Sequence, residues 1–148
     1  MLEIRNIHAE DTYRIRHQVL RPSQTLEDCK YNGDFDQDTF HVGAFVEGEL
    51  VSIASFYKES CPNFSETLQY RLRGMATMEY ARNQKAGSSL LRFAERILEK
   101  RKADVWWCNA RVTVSDYYKK LGLNEHGDIF EIEPIGPHKL MFKRLNSL

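Results

Sequence analysis

The 148-residue sequence predicts an α/β (α+β) fold, a mixed and mostly antiparallel central sheet of six to seven strands flanked by helices. Three observations lead to it. Runs of strand and helix character follow one another as strand, helix, three strands, helix, strand, helix and two strands. Short joints containing Gly or Pro separate successive strands, as antiparallel hairpins require. One strand–helix–strand stretch, 68–109, demands a parallel crossover, because parallel neighbours need a long connection.

Residues 2–7 alternate like a short strand, and 9–20 read as a helix carrying Tyr13, Ile15, Val19 and Leu20, stopped by Arg21–Pro22. Segment 23–39 is polar, with acidic residues at Asp34, Asp36 and Asp38. Strands 40–46 and 50–57 are joined through Glu47–Gly48–Glu49, and 60–65 is a turn around Pro62 and Asn63. In the strand 68–77, alternation places Leu68, Tyr70, Leu72 and Ala76 on one face and Gln69, Arg71 and Arg73 on the other. Helix 87–102 has Leu90, Leu91, Ala94, Ile97 and Leu98 on one stripe and Arg92, Glu95, Arg96 and Glu99 facing water. Residues 104–109 are too few and too apolar for another helix and read as a buried strand. Helix 114–121 has Thr113 and Asp116 in capping-box spacing and Gly122 at its C-terminal cap. Strands 128–133 and 138–145 flank a turn at 134–137.

The length suits one domain spanning 1–148, large enough to fold without disulfides or a structural metal. Lys plus Arg equals Asp plus Glu at 21 each, so net charge offers no pull toward nucleic acid or an anionic membrane surface. Cys29, Cys61 and Cys108 are odd in number and far apart, a pattern of reduced thiols rather than a metal motif or disulfide framework. No signal peptide or membrane span is read, so the expected location is the cytoplasm.

The stretch carrying chemistry runs from Leu72 to Leu91, a strand, a polar turn and the start of a helix. The first amides of a helix lack internal partners, and the helix dipole favours an anion there. Gly87 allows close backbone approach, Ser88 and Ser89 add hydroxyls, and Arg82 and Lys85 add positive charge. Such a turn suits a pyrophosphate. It is neither a GxxxxGK[ST] phosphate loop nor a GxGxxG dinucleotide loop.

This stretch resembles the cofactor motif of the GNAT superfamily of N-acetyltransferases: Gln or Arg, two residues, Gly, one residue, then Gly or Ala. Arg82 fills the first position and Gly87 the last, while Lys85 stands where a Gly is usual. The preceding LRGMAT, residues 72–77, is similar to bacterial members. A second block, Asn109 followed by SDYYKKLGL at 115–123, resembles the family's C-terminal helix. Gly136–Pro137–His138 and Met141 resemble the ending of some members.

The resemblance implies an acetyl-coenzyme A-dependent N-acyltransferase whose fourth and fifth strands splay around the pantetheine arm. Met75, Ala76 and Thr77 would bind that arm, and Asn109 would hydrogen-bond it. Residues Arg82, Asn83, Gln84, Lys85, Ala86, Gly87, Ser88 and Ser89 would hold the pyrophosphate. Tyr118, also against the cofactor, falls where the family's acid lies. Glu79 is a candidate base, with His41 and His138 as more remote candidates acting through water. The acceptor is an amine of a small molecule or a protein, and a homodimer is compatible. No metal is implied. The Asp34–Asp38 cluster is either a solvated loop or an attractor for a cationic amine. Trp106 and Trp107 read as core rather than a stacking platform, and Cys108 has no partner that makes it a nucleophile. A non-catalytic acyl-coenzyme A-binding module with the same fold is the alternative; a nucleic-acid-binding domain is disfavoured by the charge balance.

Overall fold

The computed structural model describes residues 1–145, except the side chains of Asn83 and Gln84. Its elements in chain order are β1 (Leu2–Ile7), α1 (Ala9–Ile15), β2 (Phe40–Val46), β3 (Glu49–Lys58), β4 (Gln69–Thr77), α2 (Ala86–Lys100), β5 (Val105–Arg111), α3 (Ser115–Lys120), β6 (Asn124–Ile132) and β7 (Gly136–Arg144). The strands form one seven-stranded sheet in the order β1-β2-β3-β4-β5-β7-β6. Every neighbouring pair is antiparallel except β4 and β5, the crossover expected for 68–109.

Helix α2 is what makes this a layered fold. Its inner side, Leu90, Leu91, Ala94 and Leu98, lies on Val42, Ala44, Ala54, Phe56, Tyr70, Leu72 and Trp106. Each buried Leu there contributes about 1.5–3 kcal/mol of transfer free energy. Trp106 and Trp107 point to opposite faces, the first into this core and the second into a smaller cluster with Phe64, Leu140 and Phe142. Each indole N–H is satisfied, Trp106 by the Glu95 carboxylate (2.9 Å) and Trp107 by the Glu59 carbonyl (2.9 Å). All three cysteines are free and buried.

Several boundaries differ from the sequence reading, each for a local reason. The helix expected over 9–20 is α-helical only to Ile15 and continues as a wider π turn over Arg16–Leu20. Helix α2 stops at Lys100 because Lys102 takes a left-handed conformation (φ 62°). The amides of Lys102 and Ala103 then bond back to Glu99 and Leu98 (3.0 and 2.9 Å), a Schellman close without glycine. Gly122 (φ 98°) closes α3 in the same way, through Gly122 to Lys119 and Leu123 to Tyr118. The expected Thr113–Asp116 capping box does not form, since the chain enters α3 through a 3-10 turn, Val112–Val114, and no side chain caps it. Strand β6 begins at Asn124, four residues early by alternation, because an irregularity between His126 and Phe130 interrupts the pattern.

One departure reaches the site. Strand β4 carries a bulge opposite Ile53–Ser55, where Gly74 adopts φ 64°. The extra residue reverses the alternation. Tyr70 and Leu72 face α2, whereas Ala76 packs with Ile15 and Ile53 on the opposite face, not with Leu72 as expected. Gln69, on the opposite face from Tyr70 as alternation expects, is buried. It accepts the Cys61 amide (2.8 Å) and donates to the carbonyls of Phe64 and Glu66 (3.2 and 2.9 Å).

The α1 face is organised by a polar knot rather than by apolar contact. The Arg16 side chain is fully buried and forms a two-pronged pair with Asp34 (2.8 and 3.1 Å). It also donates to the Cys29 carbonyl (2.8 Å), the Ser55 hydroxyl (2.9 Å) and Tyr57 (3.1 Å). Tyr57 donates to Asp34 (2.5 Å), and the Tyr31 amide donates to the same carboxylate (2.9 Å). Asp34 is thus neither a solvated loop residue nor a lure for a cation; Asp36 and Asp38 are exposed, Asp38 only loosely paired with Lys58 (3.9 Å), so the solvated-loop reading holds for these two alone.

His41 completes the knot. Its Nε2 lies 2.9 Å from the Asp34 carbonyl, an acceptor only, so Nε2 carries the proton and Nδ1 accepts from Ser55 (2.7 Å). Burial holds His41 below its usual 6.5 and keeps the ring neutral. For Asp34, burial pushes upward, but hydrogen bonds from Arg16, Tyr57 and the Tyr31 amide prevail and hold the carboxyl below its ordinary value.

Removing one partner from a buried pair strands the other charge, so Asp34→Asn is expected to cost about 3–5 kcal/mol in chemical denaturation. Stability is also expected to decline in acid. The folded state resists protonating His41 while the unfolded chain accepts that proton, so stability drops as pH falls below 6.5. A further loss follows below 3.8 as Asp34 is forced to protonate. Denaturation midpoints measured from pH 7.5 to 2.5 check both steps, and His41→Asn should flatten the first.

Candidate active site

Strands β4 and β5 are hydrogen-bonded neighbours only over Gln69–Arg71 and Val105–Trp107. Beyond that they diverge. β5 continues to Arg111 on the β7 side, and β4 continues to Thr77 on the β3 side. The inner edges of the two strands therefore part over residues 72–77 and 108–111, leaving a wedge. The Gly74 bulge lies on the β4 wall of this wedge, as do Met75, Ala76 and Thr77. Thr77 is held by a hydroxyl contact with Ser52 (2.7 Å).

Past β4 the chain turns through a 3-10 segment, Glu79–Gln84, and enters α2 through Lys85. Lys85 occupies the left-handed region (φ 60°, ψ 23°). A glycine adopts that shape without cost, and a lysine does so at about 1–2 kcal/mol. The backbone turn that glycine ordinarily permits is thus made here by a lysine. Among the described residues no side chain caps α2, and its first internal bond is from the Ser89 amide to the Lys85 carbonyl (3.1 Å). The amides of Ala86, Gly87 and Ser88 precede it and have no acceptor within the helix. Ala86 and Gly87 are buried, while Arg82 and Lys85 are exposed. The Ser88 hydroxyl turns back to the Lys85 carbonyl (3.2 Å), so it does not project outward as expected. Asn83 and Gln84 belong to this turn, and their side chains lie outside the described residues.

Gly87 packs against a neighbour. A Cβ there would meet the Tyr117 hydroxyl and, at 3.2 Å, the end of Met75, so a side chain at this position requires Tyr117 to swing aside. The same packing places Tyr118 under the wedge, its hydroxyl donating to Met75 Sδ (3.6 Å). Burial raises the Tyr118 phenol well above its ordinary value, with Cys108 and Tyr117 adding to the effect. It is a proton-bearing donor at neutral pH. Cys108 is buried, its thiol pushed up to about 12 by that burial, which leaves it inert as a nucleophile. Asn109 lies on the β5 wall, and among the described residues its carboxamide makes no hydrogen bond.

The remaining candidates separate from this centre. His41 has both ring nitrogens committed inside the protein. His138 is buried, with Nδ1 on the Gly136 carbonyl (2.7 Å). Glu79 is exposed on the 3-10 segment. A cleft of about 450 Å³ lies beside His8, Glu10, Asp36 and Phe40, where β1 ends and β2 begins, at the far end of the sheet from the start of α2. A smaller cleft, about 190 Å³, adjoins the first turns of α2 and is bordered by Ser88, Arg92, Lys120 and Lys143. Among the described residues no cluster of His, Cys, Asp and Glu is placed to hold a metal ion, and no helix is long and apolar enough to cross a membrane.

Reasoning from sequence missed the α1-face group Arg16, Tyr31, Ser55 and Tyr57. Its members are scattered along the chain and form no motif. One signal was present: Arg16 sits one and four residues after Ile15 and Thr12, on the buried stripe of its helix. A cation there must have an internal partner.

Comparison with known proteins agrees with this geometry. The model of the acetyltransferase (GNAT) family matches residues 1–123. A Bacillus subtilis (strain 168) protein named as the uncharacterized N-acetyltransferase YitI is 50% identical over 147 residues, 99% of each chain. Escherichia coli ElaA superposes with a TM-score of 0.73 at 18% identity, over 97% of this chain and 99% of its own. An aminoglycoside 6'-N-acetyltransferase complexed with coenzyme A gives 0.77 at 13% identity, over 99% and 98%. With the parted parallel strands, the uncapped helix and the partly buried tyrosine already in place, the chain belongs to the GNAT family of acetyltransferases.

Proposed function

We propose that the protein transfers an acetyl (acyl) group from acetyl-coenzyme A to a primary amine by direct attack. The observation that carries this reading is the wedge between β4 and β5, which opens beside the uncapped start of α2 and has Tyr118 beneath it. The amides of Ala86, Gly87 and Ser88, with Lys85 and Arg82, form a site for a pyrophosphate. The pantetheine arm then runs along β4 beside Met75, Ala76 and Thr77, with Asn109 on the facing wall. Arg92 and Lys120, exposed around the smaller cleft, offer further positive charge to a phosphate.

The chemistry asks little of the protein beyond placement and charge stabilisation. A neutral amine attacks the thioester carbon, an N–C bond forms, and the C–S bond breaks. One proton leaves nitrogen for solvent, and one reaches sulfur. Burial keeps the Tyr118 phenol protonated, so it donates to the departing sulfur and regains its proton from water. Glu79 faces solvent and suits a water-mediated base at most. The rate then follows the fraction of neutral acceptor amine, rising with pH until that amine's own pKa is passed.

Acetyl-coenzyme A at a hundred times its Kd is expected to raise the melting temperature by about 5–10 °C. No shift at millimolar concentration would sink the proposal. Tyr118→Phe should lower kcat by about 100-fold while leaving that shift nearly unchanged. Equal loss of both would mean that Tyr118 only packs. Lys85→Gly separates shape from charge. It keeps the turn, so the melting temperature should hold or rise, while loss of the ammonium should raise KM for acetyl-coenzyme A a few-fold, which Lys85→Arg should restore.

A further inference from the structure

We infer that the acceptor is an amine that also carries a carboxylate, as an amino acid or a peptide terminus does, and that Arg73 anchors it. This rests on the acyl-transfer reading above and names the second substrate of the same site.

Helix α2 covers one face of the sheet over β4, so an acceptor meets an acyl group lodged in the wedge from the other face. Arg73 lies on that face, two residues after Arg71, the last β4 residue paired with β5, and just before the Gly74 bulge. Two strand residues span about 7 Å, within reach of an arginine side chain.

The arginines around this opening differ in one respect. Arg16 is matched by Asp34 (2.8 Å), and Arg71 by Glu59 (3.1 Å). Arg21 is committed to the Gln24 side chain (3.0 Å) and the Tyr31 hydroxyl (3.3 Å). Arg73 is held only by aromatic rings, 4.7 Å from the Tyr31 centroid and 5.6 Å from that of Tyr57. Among the described residues its guanidinium makes no hydrogen bond or ion pair, and it is partly exposed.

Stacking fixes the plane of a guanidinium while leaving its N–H edge free. That is the arrangement from which arginine grips a carboxylate with two parallel bonds. The rings are themselves fixed: Tyr57 donates to Asp34, and Tyr31 lies under Arg16 (4.0 Å) and against Gly74, where a Cβ would stand 3.1 Å away. With Asp34 consumed by Arg16, Arg73 keeps an uncompensated positive charge among the described residues. A polycationic acceptor would be repelled here, whereas an anionic group is drawn in.

The test compares each acceptor with its own carboxamide: phenylalanine with phenylalaninamide, histidine with histidinamide, and a dipeptide with its C-terminal amide. Thiol release from acetyl-coenzyme A is measured at pH 8. The amides have less basic, more neutral amines, so basicity favours them and any preference for the acid form must come from recognition. The acid forms are expected to lead in kcat/KM by about 10- to 100-fold, the range of a charged hydrogen-bonded contact. In Arg73→Gln the ratio should collapse toward one, and in Arg73→Lys it should be partly kept, while the acetyl-coenzyme A melting shift persists in both. A wild-type ratio at or below one overturns the anchor. So does a ratio that survives Arg73→Gln, or a panel in which simple amines react and no amino acid or peptide does. Absence of the acetyl-coenzyme A shift in the wild type would instead overturn the acyl-transfer reading itself.

Discussion

The buried pairing of Arg16 with Asp34 is the constraint around which one whole face of the molecule is arranged. A guanidinium with no exposure must find its acceptors inside the protein. Meeting that demand ties the π turn after α1, the polar loop 23–39 and the middle of β3 into one unit. The loop has little apolar surface of its own with which to dock. It is fixed because Asp34 and the Cys29 carbonyl answer Arg16, and because the Asp34 backbone answers His41. Arg16 Nε, buried and without a partner among the described residues, lies toward Gly74, 3.2 Å from where a Cβ would be. A side chain at that position would collide with the knot, so the bulge and the ion pair depend on each other.

The opposite face follows different physics. There α2 lies on a continuous apolar surface, and its position is set by volume and contact rather than by charge. The two faces meet at the wedge. The α2 side supplies an uncapped helix start and a partly buried phenol, and the α1 side supplies tyrosine rings and a stacked cation. Each half is rigid for its own reason, so the line between them can remain open without loosening the fold.

The sequence made the apolar side legible and the polar side obscure. Leu90, Leu91, Ala94 and Leu98 announce α2 by spacing alone, and the strand–helix–strand order of 68–109 dictates the parallel pair. Arg82, Gly87, Asn109 and Tyr118 could be singled out because their motifs are local in the chain. Arg16, Ser55 and Tyr57 could not, and the role of Asp34 was misread, because a hydrogen-bond knot spread over 42 positions has no period and no spacing rule. Two left-handed lysines, Lys85 and Lys102, mark the other limit. Turn residues are recognised by glycine, and here the backbone takes the glycine shape without it. Ala76 was placed on the wrong face because strict alternation cannot register an inserted residue.

That inserted residue has a consequence for how this strand can change over evolutionary time. Downstream of Gly74 every β4 side chain is out of phase with those upstream, so the strand's two halves belong to different neighbourhoods. Point substitutions at Met75, Ala76 or Thr77 alter one contact each. Loss of a single residue at the bulge would move all three across the sheet together and exchange their surroundings in one step. Length, more than composition, is therefore the conserved quantity to expect along this part of the chain, and a gap here would signal a rebuilt wall rather than a trimmed one.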